Sequence, residues 1–464
     1  MEEWNKKDRW LLGFFTLVSG FILFFNLWSR SLENHGYLRY AEIAREMIRT
    51  GEWVVPHLNG EVFIDKPPML FWLIAIPSTI YGSVTPFIAR WPSALSAWIG
   101  IIILFLWGRK VYGTTKSGLI AGGILLSSYQ YFFQSRLAKT DILLCLFILL
   151  SLYSFYLKYY ESGRRRFLFN GLFFFFMGLG VLTKGPIGLL PLAIVYIFLI
   201  KERQWRILID KELFLGYAIL ALTVFPWIFL FIQRIGLEQC VLLVKENKIL
   251  TRQEPIYFYF IVVWGQFAPW SILLPSLSFC LWKERGKIWN SKVTYFIIWF
   301  IVLFSLLTLF KFRTSRYLLP ALPPLAIMIG GMWRKKFVYF LALFLFTVSA
   351  WHVREYHWIK RDNFYSPGMV LVGELKPFLK KSALFGYGLD ISTVEEINFY
   401  LDPIDPIPVL RSSEELSKQL GKREKGLFLM PAEAFEKTRT QGDAPMVFLQ
   451  EFTYKKGKLV LVSN

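Results

Sequence analysis

Cysteine and histidine are scarce in this chain, which has three cysteines and four histidines among its 464 residues. Cys145 and Cys280 fall within or at the end of apolar runs, so no disulfide framework is implied. The histidines form two pairs, His35 with His57 and His352 with His357, and neither pair has the spacing of a zinc site. The scarcity of cysteine argues against a domain stabilised by disulfide bonds. Whether the protein binds a divalent metal stays open.

Charged residues are also few, at 19%, whereas hydrophobic residues make up 55% of the chain and include 45 Phe and 18 Trp. A soluble protein of this length could not bury so much apolar surface, so we predict a polytopic α-helical membrane protein. The first apolar run lacks a small-residue cleavage site and is predicted to be a retained anchor. About eleven runs have membrane-crossing length: 10–28, 87–107, 118–133, 142–157, 167–182, 187–200, 213–232, 256–281, 293–310, 317–332 and 337–351.

Basic clusters on alternate loops predict the orientation of these spans. They include Lys6-Lys7, Arg109-Lys110, Arg164-Arg165-Arg166, Lys283-Glu284-Arg285 and Arg334-Lys335-Lys336. By the positive-inside tendency, the amino terminus is cytoplasmic and the chain beyond Trp351 is outside the membrane. Much of the net charge of +20 is then topogenic, and nucleic acid is not indicated as a partner.

Basic residues are also predicted on the opposite side of the membrane, where the positive-inside tendency disfavours them. We interpret them as a site for an anion at the outer interface, with contacts to lipid headgroups as the alternative. They are Arg39, Arg45, Lys66, Arg136, Lys139, Lys184, Lys248, Arg252, Lys311, Arg313 and Arg316.

The chain is predicted to have two parts, a transmembrane domain at 1–352 and a small extracytoplasmic α/β domain at 353–464. In the second part, strand-like stretches at 383–387, 426–430, 446–452 and 458–462 alternate with helical patterns at 393–401 and 412–420. Residues 38–49 form an amphipathic pattern typical of an interfacial helix, and residues 237–250 are a second candidate.

Two acidic residues stand out at the predicted outer interface. Asp65 precedes Lys66, Pro67 and Pro68, and the two prolines keep this acid and base out of a helix; an exposed turn before a helix is the alternative. Asp141 leads into an apolar run, where an unpaired carboxylate would be costly. We expect Asp141 to pair with Lys139, Lys184 or a neighbouring Arg, or else to cap its helix.

Several short segments occur together in an order that resembles the aminoarabinose-transferase-like group of polyprenyl-phosphate-sugar glycosyltransferases, which are related to the protein O-mannosyltransferases. The segments are Arg39-Tyr40-Ala41-Glu42, Leu58-Asn59-Gly60, Asp65-Lys66-Pro67-Pro68, Ala89-Arg90-Trp91-Pro92-Ser93-Ala94, Leu182-Thr183-Lys184-Gly185-Pro186, Glu246-Asn247, Pro255 and Ser315-Arg316-Tyr317-Leu318-Leu319-Pro320. Each is weak alone, but together they cover most of residues 1–332.

This resemblance implies a GT-C membrane fold and an extracytoplasmic site that uses a sugar on undecaprenyl phosphate. The leaving group is a phosphate monoester, which needs positive charge rather than a proton. The implied acceptor is a lipid, such as lipid A, or a glycan. Candidate residues for binding the donor are Arg39, Tyr40, Lys66, Lys139, Lys184, Arg252, Tyr257, Tyr259, Arg316 and Tyr317.

At two positions the chain differs from the family pattern, so the roles of the family's residues there cannot be assigned to this chain. Relatives have an Asp-Glu pair just ahead of the segment matching Leu38, whereas this chain has Gly36-Tyr37. The candidate acids or bases are then Glu33, Asp65 and Asp141. A metal-associated histidine before Pro255 is replaced by Arg252-Gln253-Glu254, so the metal role is not transferred.

Three functions remain open from the sequence. The first is a glycosyltransferase at the outer face of the bacterial inner membrane; an acceptor phosphate is already ionised, which would lessen the need for a base. The second is a transporter or flippase for a lipid-linked anion, although the centres of the predicted spans lack obvious charged residues. The third is an inactive member that binds lipid-linked sugar.

Overall fold

The computed structural model describes residues 4–29, 32, 38–161, 165–204, 207, 211–246, 254–289, 291–310, 313–361, 367–379, 382–401, 406–422, 426–441, 446–455 and 457–464. Its helices are α1 (Lys6–Phe24), α2 (Leu38–Thr50), α3 (Met69–Tyr81), α4 (Pro86–Tyr112), α5 (Thr115–Ser127), α6 (Tyr129–Ser135), α7 (Thr140–Tyr160), α8 (Arg165–Lys184), α9 (Leu190–Lys201), α10 (Lys211–Ile235), α11 (Leu237–Glu246), α12 (Phe258–Gln266), α13 (Leu274–Lys283), α14 (Arg285–Ile288), α15 (Val293–Leu309), α16 (Leu322–Met332), α17 (Phe337–Arg361), α18 (Pro367–Leu375), α19 (Ile391–Leu401), α20 (Ser413–Leu420) and α21 (Ala432–Gln441). The strands are β1 (His57–Leu58), β2 (Glu61–Val62), β3 (Ala383–Tyr387), β4 (Val409–Leu410), β5 (Gly426–Pro431), β6 (Val447–Tyr454) and β7 (Gly457–Ser463).

The chain forms two compact units. The larger comprises Met1–Leu27, Ile64–Ile80 and Phe87–Tyr356, and the smaller comprises Trp28–Phe63, Tyr81–Pro86 and His357–Asn464. The smaller unit therefore contains the predicted first outer loop as well as the predicted α/β domain. The division at residue 352 stays a prediction.

The larger unit is helical, and its core is rich in fully buried aromatic side chains such as Trp107, Trp270 and Trp299. Five helical stretches in the described residues are long and apolar enough to cross a membrane, or six if the bent pair α12 and α13 forms one span. They are Pro86–Tyr112, Thr140–Tyr160, Arg165–Lys201, Lys211–Ile235 and Phe337–Arg354. This number is lower than the predicted eleven, which stays a prediction.

Breaks within apolar runs account for much of this difference. The run 118–133 divides at Ser128 into α5 and α6, and the chain between α12 and α13 bends by 113°. In the opposite sense, the stretch Arg165–Lys201 combines two predicted spans. Gly188 nevertheless lies against Gly180, which shows that the chain folds back after α8.

The smaller unit contains a five-stranded mixed sheet with strand order β4-β3-β5-β7-β6. Side chains alternate between its faces: Leu427 and Leu429 pack in one apolar cluster with α18 and α19, whereas Phe428 and Met430 pack in another with α20 and α21. Strands and helices thus lie close to the stretches predicted from the sequence. Helices on both faces bury the central strands of the sheet, whereas Val447 and Phe448 on the edge strand β6 are exposed.

A candidate phosphate-binding site

An ion pair between Asp141 and Lys184 forms the centre of the candidate site in the larger unit. Asp141 is the second residue of α7, and Lys184 is the last residue of α8. Their side chains are 6% and 8% exposed, and a charge this well buried is costly without a partner. The residue at the cap of α7 is Lys139, so Asp141 makes the predicted ion pair rather than acting as the helix cap.

Two more cations and an aromatic ring surround this pair. Lys139 and Arg316 both interact electrostatically with Asp141. The Lys184 ammonium lies 4.5 Å from the ring centroid of Tyr317, within the range of a cation–π contact. Three cations therefore share one carboxylate, and the excess positive charge can attract an anion.

Burial and the neighbouring cations disfavour the charged form of Lys139. Burial is the largest cause that lowers the pKa of Lys139, and the charges of Arg316 and Lys184 lower it as well. Asp141 acts in the opposite direction, and the net pKa is about 8. Ser93 on α4 donates its hydroxyl to the Lys139 carbonyl at 3.1 Å, which fixes the chain at the start of α7. A bound phosphate would relieve the repulsion among the cations.

The position of Lys184 depends on the glycines that follow it. Gly185 has a φ of +69°, a left-handed conformation that favours glycine. A 3₁₀ turn over Gly185–Leu189 then brings the Cα of Gly188 to 3.3 Å from where a Cβ on Gly180 would lie. Lys184 is therefore held at the point where the chain reverses.

Asp65 and Lys66 form a separate pair ahead of α3. Their charged atoms are 2.7 Å apart, and the side chains are 50% and 17% exposed respectively. The helix begins at Met69, so both residues stay outside it, as the two prolines predict. Among the described residues, neither forms a hydrogen bond or ion pair with the cluster around Asp141.

Three of the four predicted tyrosines, Tyr257, Tyr259 and Tyr317, have different surroundings. Tyr259 is fully buried, donating its hydroxyl to the Thr314 carbonyl at 3.1 Å and accepting a hydrogen bond from the Thr314 amide at 3.2 Å. It therefore fixes the segment just ahead of Arg316. Tyr257 is 57% exposed at the start of α12, whereas Tyr317 contacts Lys184.

Other predicted site residues lie elsewhere or outside the described part of the chain. Arg39 and Tyr40 are on α2 in the smaller unit, where the Arg39 Nε donates to Glu395 Oε1 at 3.0 Å. Glu33, Gly36-Tyr37 and Arg252 are outside the described residues.

Some of the predicted outer cations bind backbone carbonyls. Arg136 donates to the carbonyls of Leu23, in the last turn of α1, and of Phe25, just beyond it, at 2.9 and 2.8 Å. Arg313 similarly donates to the Thr308 carbonyl at 2.7 Å. The predicted outer cations therefore do not all serve one site. Arg136 and Arg313 stabilise the ends of α1 and α15, whereas Lys139, Lys184 and Arg316 lie around Asp141.

The described residues do not fit a metal centre at Asp65. Its carboxylate pairs with Lys66, and no group of three His, Cys, Asp or Glu side chains in the described ranges could hold a metal ion. His57 instead places its Nδ1 at 2.9 Å from the Val55 carbonyl.

Comparison with known proteins places this geometry in a family context. Residues 65–229 match the family model described as dolichyl-phosphate-mannose-protein mannosyltransferase. An uncharacterised protein of Aquifex aeolicus is 28% identical over 336 residues, which cover 70% of this chain and 65% of that protein. An undecaprenyl phosphate-aminoarabinose arabinosyl transferase of Pseudomonas fluorescens is 25% identical over 70% of this chain and 58% of its own length. The chain thus spans less than two thirds of the length of these relatives.

The fold is also similar to a solved structure. The crystal structure of ArnT from Cupriavidus metallidurans bound to undecaprenyl phosphate superposes with a TM-score of 0.78 at 18% identity and covers 98% of both chains. At this identity the likeness shows a shared fold alone. The resemblance predicted from the sequence is confirmed as a similarity: the chain is similar to aminoarabinose arabinosyl transferases and, over residues 65–229, to the mannosyltransferase family model.

Proposed function

We propose that this chain is a membrane glycosyltransferase that moves a sugar from undecaprenyl phosphate to a lipid A-like or glycan acceptor. The proposed location is the bacterial inner membrane, with the reaction and the α/β part at the outer face. Family similarity supports the reaction class. The observation that carries the proposal is the excess of positive charge around Asp141, formed by the buried side chains of Lys139 and Lys184 together with the half-buried Arg316.

The proposed chemistry is a single displacement at the anomeric carbon. An acceptor oxygen forms the new bond to that carbon, while the bond from the carbon to the donor phosphate oxygen breaks. Undecaprenyl phosphate leaves with an additional negative charge, which Lys184 and Arg316 would stabilise by charge-assisted hydrogen bonds. This leaving group needs no proton donor.

Asp141 fits a supporting role in this scheme. Its carboxylate is committed to Lys184, so it would hold the ammonium in position for the phosphate. Among the three candidate acids and bases, Asp65 is the described residue with a half-exposed carboxylate. A hydroxyl acceptor would need such a base, whereas an ionised phosphate acceptor would not.

The placement of charge favours transfer over transport by a flippase. Asp141 and Lys184 lie at the ends of their helices rather than near the middle, where coupled transporters place charged residues. The inactive lipid-sugar-binding alternative rests on Gly36-Tyr37, where relatives have an acidic pair.

The test is transfer by the purified full chain in lipid nanodiscs. Undecaprenyl-phosphate-linked pentoses and hexoses are supplied with lipid A or glycan acceptors, and products are followed by mass spectrometry. We expect transfer by the natural protein, loss with Lys184→Ala and retention with Lys201→Ala, a control on the lysine paired with Glu202. Donor binding without transfer from any donor would support the inactive alternative.

A further inference from the structure

Helix α19, in the C-terminal part of the chain, makes two contacts with the predicted first outer loop inside the smaller unit. Glu395 accepts a hydrogen bond from the Arg39 Nε at 3.0 Å, and the Tyr400 hydroxyl donates to the Leu32 carbonyl at 2.8 Å. Arg39 is 356 residues from Glu395 in sequence. One helix of the C-terminal part thus holds the loop at Leu32 and again at the start of α2.

Asn398, one turn along α19, adds two further contacts. Its carbonyl accepts from Arg45 at 2.8 Å, and its side-chain amide donates to Asn59 Oδ1 at 2.7 Å. Glu46 on α2 in turn accepts from the amides of Asn59 and Gly60 at 2.6 and 3.2 Å. The helix α2 and the turn after it are therefore ordered against α19 by directional bonds.

The environment of Glu395 is unusual for a residue that serves stability alone. Its side chain is fully buried, while Arg39 is 36% exposed. Burial raises the pKa of Glu395, although Arg39 acts against this shift. Burying an ion pair often stabilises a fold no better than apolar residues would, so its directional geometry is the more informative property.

A second ion pair on the same loop can be compared with the pair formed by Arg39 and Glu395. Glu61 and Arg411 also join the first outer loop to the C-terminal part, at 2.8 Å, but both side chains are 76% exposed. A solvated pair of this kind contributes little to structure because water competes for both partners. The two pairs therefore have similar connectivity but differ in burial.

We propose that Glu395 is a positioning residue for sugar transfer, which acts through Arg39 by fixing the orientation of α2. This inference rests on the proposed function. A residue of the C-terminal α/β part would thus hold, within the smaller unit, the segment that contains the candidate donor-binding residues Arg39 and Tyr40.

The experiment compares Glu395→Ala, Glu395→Gln and the control Glu61→Gln in the full chain in nanodiscs. We expect Glu395→Ala to lower kcat by about 10²-fold, the typical effect of misplacing a distant support, with little change in undecaprenyl phosphate binding. Glu395→Gln, which can still accept from Arg39, should keep more activity, and Glu61→Gln should match the natural protein. A kcat for Glu395→Ala near that of Glu61→Gln would overturn the proposal.

A second measurement does not depend on activity. Hydrogen exchange of the backbone amides in α2 should be faster in Glu395→Ala than in Glu61→Gln, while exchange in α7 should be unchanged. If the natural protein shows no transfer, the proposed function fails, and the exchange result alone decides whether Glu395 positions α2. Equal exchange in the two variants would refute the positioning role. A Glu395→Ala variant that does not fold would be replaced in this comparison by Arg39→Ala, which removes the donor of the same hydrogen bond.

Discussion

Gly188 packs so closely against α8 that a Cβ at this position would lie 2.2 Å from the backbone nitrogen of Val181. This contact folds the chain back immediately after Lys184 and so helps to place the ammonium beside Asp141.

Replacing Gly188 with Ala should therefore disturb both folding and the anion site, because backbone atoms cannot move aside as a flexible side chain can. We expect a lower thermal unfolding temperature and weaker undecaprenyl phosphate binding. Gly265→Ala is the control, since a Cβ there meets no atom within 4 Å. Equal behaviour of the two variants would show that the close contact is not required.

Lys184→Ala should weaken undecaprenyl phosphate binding by about 1.5–3 kcal/mol, the usual contribution of a charge-assisted hydrogen bond. Lys184→Arg should restore part of the affinity, because a planar guanidinium replaces a compact ammonium. Binding is measured by tryptophan fluorescence or calorimetry, with thermal unfolding recorded for each variant. Unchanged affinity in Lys184→Ala would remove this residue from the donor site.

The lowered pKa of Lys139, about 8, predicts a pH dependence of phosphate binding. Below this value the amine is charged and attracts the anion, so affinity should fall as the pH rises through it. The Lys139→Gln variant should lack this step, which separates it from other titrations. The Lys139 ammonium keeps its proton up to about pH 10.5 in the unfolded chain but only up to about pH 8 in the folded protein. The free energy of unfolding should therefore increase as the pH rises from about 8 to 10.5.

Asp65→Asn distinguishes the two kinds of acceptor. With a hydroxyl acceptor we expect turnover to fall by about 10²–10⁴-fold, the usual contribution of a general base. With an ionised phosphate acceptor, turnover should stay close to that of the natural protein. Both acceptors are compared by mass spectrometry on the same preparation, and equal losses for both would exclude a role limited to removing the hydroxyl proton.

Membrane orientation can be tested by cysteine labelling in a variant without the three native cysteines. An impermeant thiol reagent added outside should label Glu61→Cys and Lys458→Cys, whose natural side chains are 76% and 62% exposed. It should not label Arg165→Cys, on a predicted cytoplasmic loop. The reverse labelling pattern would invert the proposed topology and remove the site from the outer face.

Local patterns predicted the elements of the α/β part and the partner of Asp141 well. Short continuous apolar runs mark β5 and β7, and Lys184 is among the few cations predicted near Asp141. The break at Ser128 was missed because apolar residues continue on both sides of it. The bends between helices therefore leave little trace in hydropathy.

Long-range partners were beyond what the sequence could predict. Arg39 and Arg136 were both read as outer cations, yet one binds a carboxylate 356 residues away and the other binds carbonyls at the end of α1. Backbone carbonyls are present at every residue, so a pattern of side chains cannot identify which of them an arginine will reach. Tertiary packing determines which backbone carbonyl each arginine contacts.

The position of the Asp141–Lys184 pair along its two helices has a further electrostatic consequence. The first turn of α7 carries the partial positive end of a helix dipole near Asp141, and the last turn of α8 carries the partial negative end near Lys184. Each helix then favours the charge that it bears by about 0.3–1 kcal/mol. Exchanging the two residues would keep the ion pair, but both helix dipoles would oppose it, so the backbone itself favours the ammonium at the reversal after α8.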